Sequence, residues 1–356
     1  MASYRIKIST SIGSRLQGIV QYAKFPKCKV GDMGDKFTFK SSCVIIECNR
    51  SNLQKKEEIE NNPGNTLRSQ IMRALLLYYA ANVLKARVYC ISVNRISKQG
   101  KTIISELKYD KADEQPMRLN VIPANYQFVL ADLVNNIMQD NYHPYDTILS
   151  HWLGAWTVKN RYDVFARLWR CFEQLSVKSY HGTSKREMDY LEALRDFIRN
   201  HGSDIPEACN HVDLMTYTEF RAYYWKLLIY NNFKKTSGAS KYQEYRDMFV
   251  LPYRDERVLQ MLQDTLVYRT AELGVYLPAI TSHLTAGLPI HVKKNEDVVA
   301  ILCGYYAYYT RNKIFHGEFS ERSFNICRSK EDDVVEKLNA LMMKLTFELI
   351  NAYQLL

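Results

Sequence analysis

The chain has 356 residues, 47% apolar and 24% charged, a composition that excludes a disordered polymer and suffices for two domains with separate cores. Its formal net charge is +10, and the excess sits early. Residues 1–150 hold 21 Lys and Arg against 13 Asp and Glu, whereas residues 151–356 hold 27 against 25. A basic excess attracts polyanions such as nucleic acid, although many soluble proteins without that function are as basic.

The N-terminal stretch MASYRIKIST carries no apolar run of the kind a signal peptide needs, and no window is apolar for the length of a membrane span. The expected location is the cytoplasm, with no membrane partner. Eight cysteines include no Cys-x-x-Cys pair, and Cys43 and Cys48 fall on opposite sides of one strand-like run. Free, buried thiols are expected, with no metal site and no cofactor. Tyrosine is abundant at 26 residues, which suits binding interfaces and equally suits a core with wet edges.

In chain order, Tyr4, Ile6 and Ile8 alternate with Arg5 and Lys7, the period of a half-buried strand. Phe37–Phe39 and Val44–Ile46 predict further strands, and the polar stretch from Asn49 to Asn65 predicts an exposed excursion ending in a turn. A helix follows from Thr66, read as its N-cap, with Leu67, Ile71, Leu75, Tyr78 and Tyr79 on one face. Residues 87–96 and 102–109 predict a hairpin turning at Lys98-Gln99-Gly100-Lys101, and residues 126–138 a helix. No glycine pattern suggests a phosphate-binding loop.

From residue 150 onward the spacing is helical. Helices are predicted over 159–178, 185–200, 214–233 (with Phe220, Tyr224, Leu227 and Leu228, stopped by Lys234-Lys235-Thr236-Ser237-Gly238), 255–273, 295–316 and 331–354. The last has Ser329 as its cap and a stripe of Val334, Leu338, Leu341, Leu345 and Leu349, suited to a bundle core or to a dimer seam. The expected fold is therefore α+β, with a mixed strand and helix domain over 1–149 followed by an all-α domain over 150–356.

The run Tyr305 to Gly317 departs from mere packing. Arg311, Asn312 and His316 offer a fixed cation, an amide and a titratable imidazole. Cleaving RNA without a metal needs a base for the ribose 2′-hydroxyl, an acid for the leaving 5′-oxygen and a cation for the phosphate. Histidine serves either proton role near neutrality. Equally, Arg311 and Asn312 suit a helix surface, and His316 before a glycine suits the helix C-terminal dipole. On an ideal helix Arg311 and His316 point about 140° apart. One straight helix therefore cannot aim both at one phosphate: either the helix frays before Gly317, or a second copy completes the site across a two-fold axis.

Arg311-Asn312, three residues, then His316-Gly317 resembles the motif of the HEPN family, named for higher-eukaryote and prokaryote nucleotide-binding domains. The helix Arg161–Leu175, with Trp169 and Glu173, is similar to an upstream helix of such domains. The resemblance covers about 150–356 and implies a helical, dimeric, metal-independent endoribonuclease of a phage-defence or toxin–antitoxin kind. It implies Arg311, Asn312 and His316 as catalytic residues, Glu173 in support, and Lys313 and Tyr309 on the RNA. The implied partners are RNA, a second copy in a homodimer, and an antitoxin or defence-system protein. Some relatives bind nucleotides or partners without cutting, which leaves a non-catalytic HEPN-like dimer as the alternative. The first domain is left with substrate selection or sensing.

Overall fold

The computed structural model describes residues 2–11, 14–25, 33–82, 87–97, 99–109, 126–139, 143–223, 225, 239–319 and 329–356. The chain divides into two compact units, Met1–Lys159 and Asn160–Leu356. The expected α+β class holds, since a six-stranded antiparallel sheet precedes a helical region. The division falls ten residues later than the sequence suggests because a helix, His143–Ala155, belongs to the first unit.

In the first unit, strands β1 (Ala2–Thr10), β2 (Val20–Ala23), β3 (Asp35–Phe39), β4 (Cys43–Arg50), β5 (Val88–Ile96) and β6 (Thr102–Tyr109) run in the order β2-β3-β4-β1-β5-β6. Register follows from the alternation: Ile6 sits opposite Ile46 and Val93, all three fully buried on one face. Helices α1 (Lys56–Asn61), α2 (Thr66–Ala81), α3 (Leu130–Met138) and α4 (His143–Ala155) complete the unit. The polar excursion thus contains a short helix, exposed except at Ile59. The cap of α2 is Asn65, not Thr66: its side chain accepts from the Leu67 and Arg68 amides. Thr66 instead accepts from Arg50 Nε at 2.8 Å. The hairpin turn closes through Ser97 and Gly100, with φ of 78° at Gly100, while Lys98 lies outside the described residues.

A buried ion pair ties this unit together. Arg50 donates to both Asp35 oxygens, at 2.7 and 2.6 Å, and Gln70 on α2 donates to the same carboxylate and to the Ala23 carbonyl. One polar cluster therefore links β2, β3, β4 and α2.

The second unit contains α5 (Arg161–Ser179), α6 (Glu187–Asn200), α7 (Pro206–Asp213), α8 (Tyr217–Arg221), α9 (Ala239–Tyr245), α10 (Glu256–Thr265), α11 (Leu277–Gly287), α12 (Asn295–Ile301), α13 (Ala307–Phe315) and α14 (Lys330–Asn351). Two π-helical turns interrupt it, Arg246–Val250 after α9 and Leu302–Tyr306 between α12 and α13. The helix expected over 255–273 breaks at Leu266 into a tighter 3-10 turn, Leu266–Arg269, followed by a single α-helical turn, Thr270–Leu273. Of the helix expected over 214–233 the described part is α8; Tyr224, Leu227, Leu228 and Lys234–Gly238 lie outside the described residues.

Ser329 caps α14 as expected, accepting from the Asp332 amide. Val334, Leu338, Leu341, Leu345 and Leu349 are all buried within the unit, where α14 packs on α5 and α7. This stripe is a core face and not a free dimer seam. Tyr305, Tyr306 and Tyr309 are likewise core, and Tyr308 is half-buried.

Glu348 on α14 is buried, and its carboxylate accepts from the Glu207 and Ala208 amides at the start of α7, at 2.6 and 2.9 Å. Burial outweighs those bonds and raises its pKa to about 7. A folded-state value above the unfolded one gives stability that is complete below the ordinary carboxylate range and is lost as pH rises through about 7. Glu348→Gln keeps an acceptor and removes the titration. The variant is expected to match wild type in urea unfolding at pH 4 and to exceed it at pH 8 by up to about 3 kcal/mol. An equal difference at both pH values would refute this.

Among the described residues Cys43, Cys48, Cys90, Cys171, Cys209 and Cys303 are free, and no helix is long and apolar enough to cross a membrane. Cys28 and Cys327 lie outside the described residues.

Candidate functional site

Helix α13 carries the motif, and its register is set one turn earlier. Gly304 lies in the π-helical turn against Arg195 of α6: a Cβ there would meet Arg195 Cγ and Cδ at 2.4 Å. The Arg195 guanidinium lies 4.0 Å from the centroid of Tyr305, and the Tyr305 hydroxyl donates to the Met248 carbonyl at 3.4 Å. Met248 belongs to the other π-helical turn. Such turns are rare and concentrate at functional sites.

The two π-helical turns flank a cavity of about 310 Å³, lined by Met188, Glu244, Met248, Tyr305, Tyr308, Tyr309, Asn312, Lys313, His316 and Glu318. Asn312, Lys313, Tyr309 and His316, singled out from the sequence, thus converge on one concavity. His316 is the exposed C-cap of α13; its backbone amide donates to the Asn312 carbonyl at 3.0 Å. Gly317 follows with φ of 71°, the left-handed conformation that ends helices. Lys313 lies 5.6 Å from the Tyr309 ring centroid and is ion-paired to Glu318. Tyr309 is buried and packs beside Tyr306 and Phe319.

Arg311 is not among the residues that line the cavity. It points toward α5 and α6, with Nη2 3.9 Å from Glu187 and Nη1 donating to the Asn312 side chain at 2.9 Å. Its guanidinium carbon is 4.9 Å from the Phe315 ring centroid, and among the described residues its buried Nε has no hydrogen-bond partner. Glu173 on α5 completes this group. Burial raises its pKa, the Glu187 carboxylate raises it further, and Arg311 with Arg170 opposes them. One turn earlier on α5, Trp169 packs against Tyr308 of α13 at 5.9 Å between centroids. The site therefore has two lobes on α13: a cavity with Asn312, Lys313 and His316, and a cation ion-paired to Glu187 within electrostatic reach of Glu173.

Sequence spacing did not indicate Met188, Glu244, Met248 or Glu187, which come from other helices with no motif of their own. Tyr305 and Tyr308, from the tyrosine run that precedes the motif, also line the cavity. His181, a loop histidine, is exposed outside both lobes. Among the described residues no group of three His, Cys, Asp or Glu is placed to hold a metal ion. Compared with protein-family models, curated proteins and solved structures, the chain matches none.

Proposed function

We propose that the helical unit is a metal-independent endoribonuclease acting in the cytoplasm, with α13 as its catalytic helix. The observation that carries this reading is the convergence of Asn312, Lys313 and His316 on one cavity at the end of α13. The HEPN resemblance rests on the Arg311 to His316 motif and on helix α5; a phage-defence or toxin setting, with its partner protein, rests on that resemblance alone.

In the proposed reaction His316 takes the proton of a ribose 2′-hydroxyl, and O2′ attacks the adjacent phosphorus. The P–O5′ bond breaks and O5′ takes a proton from a water molecule, whose hydroxide is neutralised by the proton that His316 gives up, leaving a 2′,3′-cyclic phosphate and a 5′-hydroxyl. Lys313 and Asn312 hold the phosphate oxygens, and Tyr309 borders the adjoining base. Arg311 offsets the charge that develops on phosphorus. Because Arg311 and His316 diverge on one helix, the complete site needs two copies of α13 about a two-fold axis, each Arg311 serving a phosphate near the other copy's His316. Glu173 and Glu187 orient Arg311 from behind.

The ion pair of Arg311 with Glu187, and its electrostatic influence on Glu173, favour a second reading, a non-catalytic HEPN-like dimer in which the arginine is structural. Mixing an Arg311→Ala protein with a His316→Ala protein separates the two. Each alone is expected to be inactive on total RNA, while the mixture regains up to about a quarter of wild-type activity through one intact composite site. Full cutting by either variant alone would refute the assigned roles.

A further inference from the structure

The antiparallel sheet of the first unit buries one face and leaves the other to solvent, as such sheets commonly do. Strand register places two rows of side chains across that open face. One row runs Tyr22, Lys36, Glu47, Arg5, Asn94; the other runs Val20, Thr38, Ile45, Lys7, Ser92, Lys108. Their neighbours along the strands, Phe37, Ile6, Ile46 and Val93, are fully buried on the opposite face. Lys7, Lys108, Val20 and Tyr22 are exposed, and Arg5, Lys36 and Glu47 are each 42% exposed.

Along these rows four cations face one carboxylate, a net of +3. Glu47 lies between Arg5 and Lys36, 3.5 and 3.7 Å from them, which holds the two cations side by side without cancelling both. Strand spacing puts Lys36, Arg5, Lys7 and Lys108 on a diagonal with steps of roughly 7–10 Å. The remaining row members are mainly hydroxyls and amides, which donate to and accept from bases and ribose hydroxyls, with Tyr22 at the edge as a stacking surface.

We infer that this open sheet face binds single-stranded RNA along the Lys36–Arg5–Lys7–Lys108 diagonal. The choice of RNA among polyanions rests on the reading of the helical unit; the charge and register do not. The face holds three of the eight excess positive charges of the first 150 residues, and it assigns substrate capture to a unit that the catalytic motif leaves without a role.

The test uses the full chain carrying His316→Ala, so that RNA survives, and a fluorescent 20-nucleotide single strand followed by anisotropy at several salt concentrations. Lys7→Gln/Lys36→Gln/Lys108→Gln is expected to weaken binding about tenfold or more at 0.1 M salt and to flatten the log–log salt slope by about 2. Glu47→Gln, which removes the single carboxylate, is expected to tighten binding by a few-fold. Unchanged affinity and slope in the triple variant, or no RNA binding by the parent, overturns the inference. So does a triple variant that loses binding to phosphatidylserine vesicles while keeping RNA. If the wild-type chain cuts no RNA but these binding changes occur, the nuclease reading fails and the sheet assignment stands.

Discussion

Replacing His316 with alanine is expected to reduce RNA cleavage by ~10²-fold or more while leaving the helical unit folded. The imidazole is exposed at the end of α13, and the bond that anchors this residue comes from its backbone amide to Asn312. The fold therefore loses little with the ring. Arg311→Ala is expected to cost as much activity with a structural penalty added. It leaves Glu173 and Glu187 facing each other with one opposing cation fewer. That penalty grows as pH rises through the elevated Glu173 value, because the charged pair is then unrelieved. Cleavage at pH 7 and thermal unfolding at pH 4 and pH 8, measured on both variants, separate the roles. A His316→Ala protein that cuts normally removes His316 from the chemistry.

Replacing Arg50 with alanine is expected to destabilise the first unit by about 3–5 kcal/mol, because it strands the Asp35 carboxylate in the core. Asp35 is 2% exposed and receives both terminal nitrogens of Arg50. The change also removes the guanidinium stacked 3.8 Å from the Phe25 ring centroid and the donor to Thr66 at the head of α2. Removing both charges together, as Asp35→Leu/Arg50→Leu, is expected to recover most of that loss, since no unpaired ion remains. Hydrogen exchange of the β4 amides against urea reads the first unit by itself. A loss under 1 kcal/mol in Arg50→Ala would show that Asp35 finds another partner.

Much of the fold was legible in the chain because burial on one face writes a period into it. Tyr4, Ile6 and Ile8 marked β1, and the stripe through Leu338 and Leu345 marked α14. Strand β2 was not legible: it has four residues, of which Ala23 alone is buried, too few apolar positions to show a period in the sequence. Periodicity also names a buried face without naming what covers it, which is why the α14 stripe suited a dimer seam and proved to be the core against α5 and α7. The tyrosine run was obscured by the π-helical turn, whose extra residue rotates what precedes it by about 100° relative to an ideal helix. Arg311 lies within α13 and His316 is its C-cap, so the ideal-helix angle describes the first and not the second. The rest of the cavity was out of reach, because Met188, Glu244 and Met248 meet α13 only through tertiary packing.

The most direct test of the central claim uses one RNA oligonucleotide in two forms, all-ribose and with a single 2′-deoxy sugar 5′ to the scissile phosphate, incubated in EDTA. The wild-type chain is expected to cut the all-ribose strand to a 2′,3′-cyclic phosphate end, to spare the substituted position, and to lose the cut in His316→Ala. Cleavage at the 2′-deoxy position, or cleavage that needs added magnesium, would contradict it.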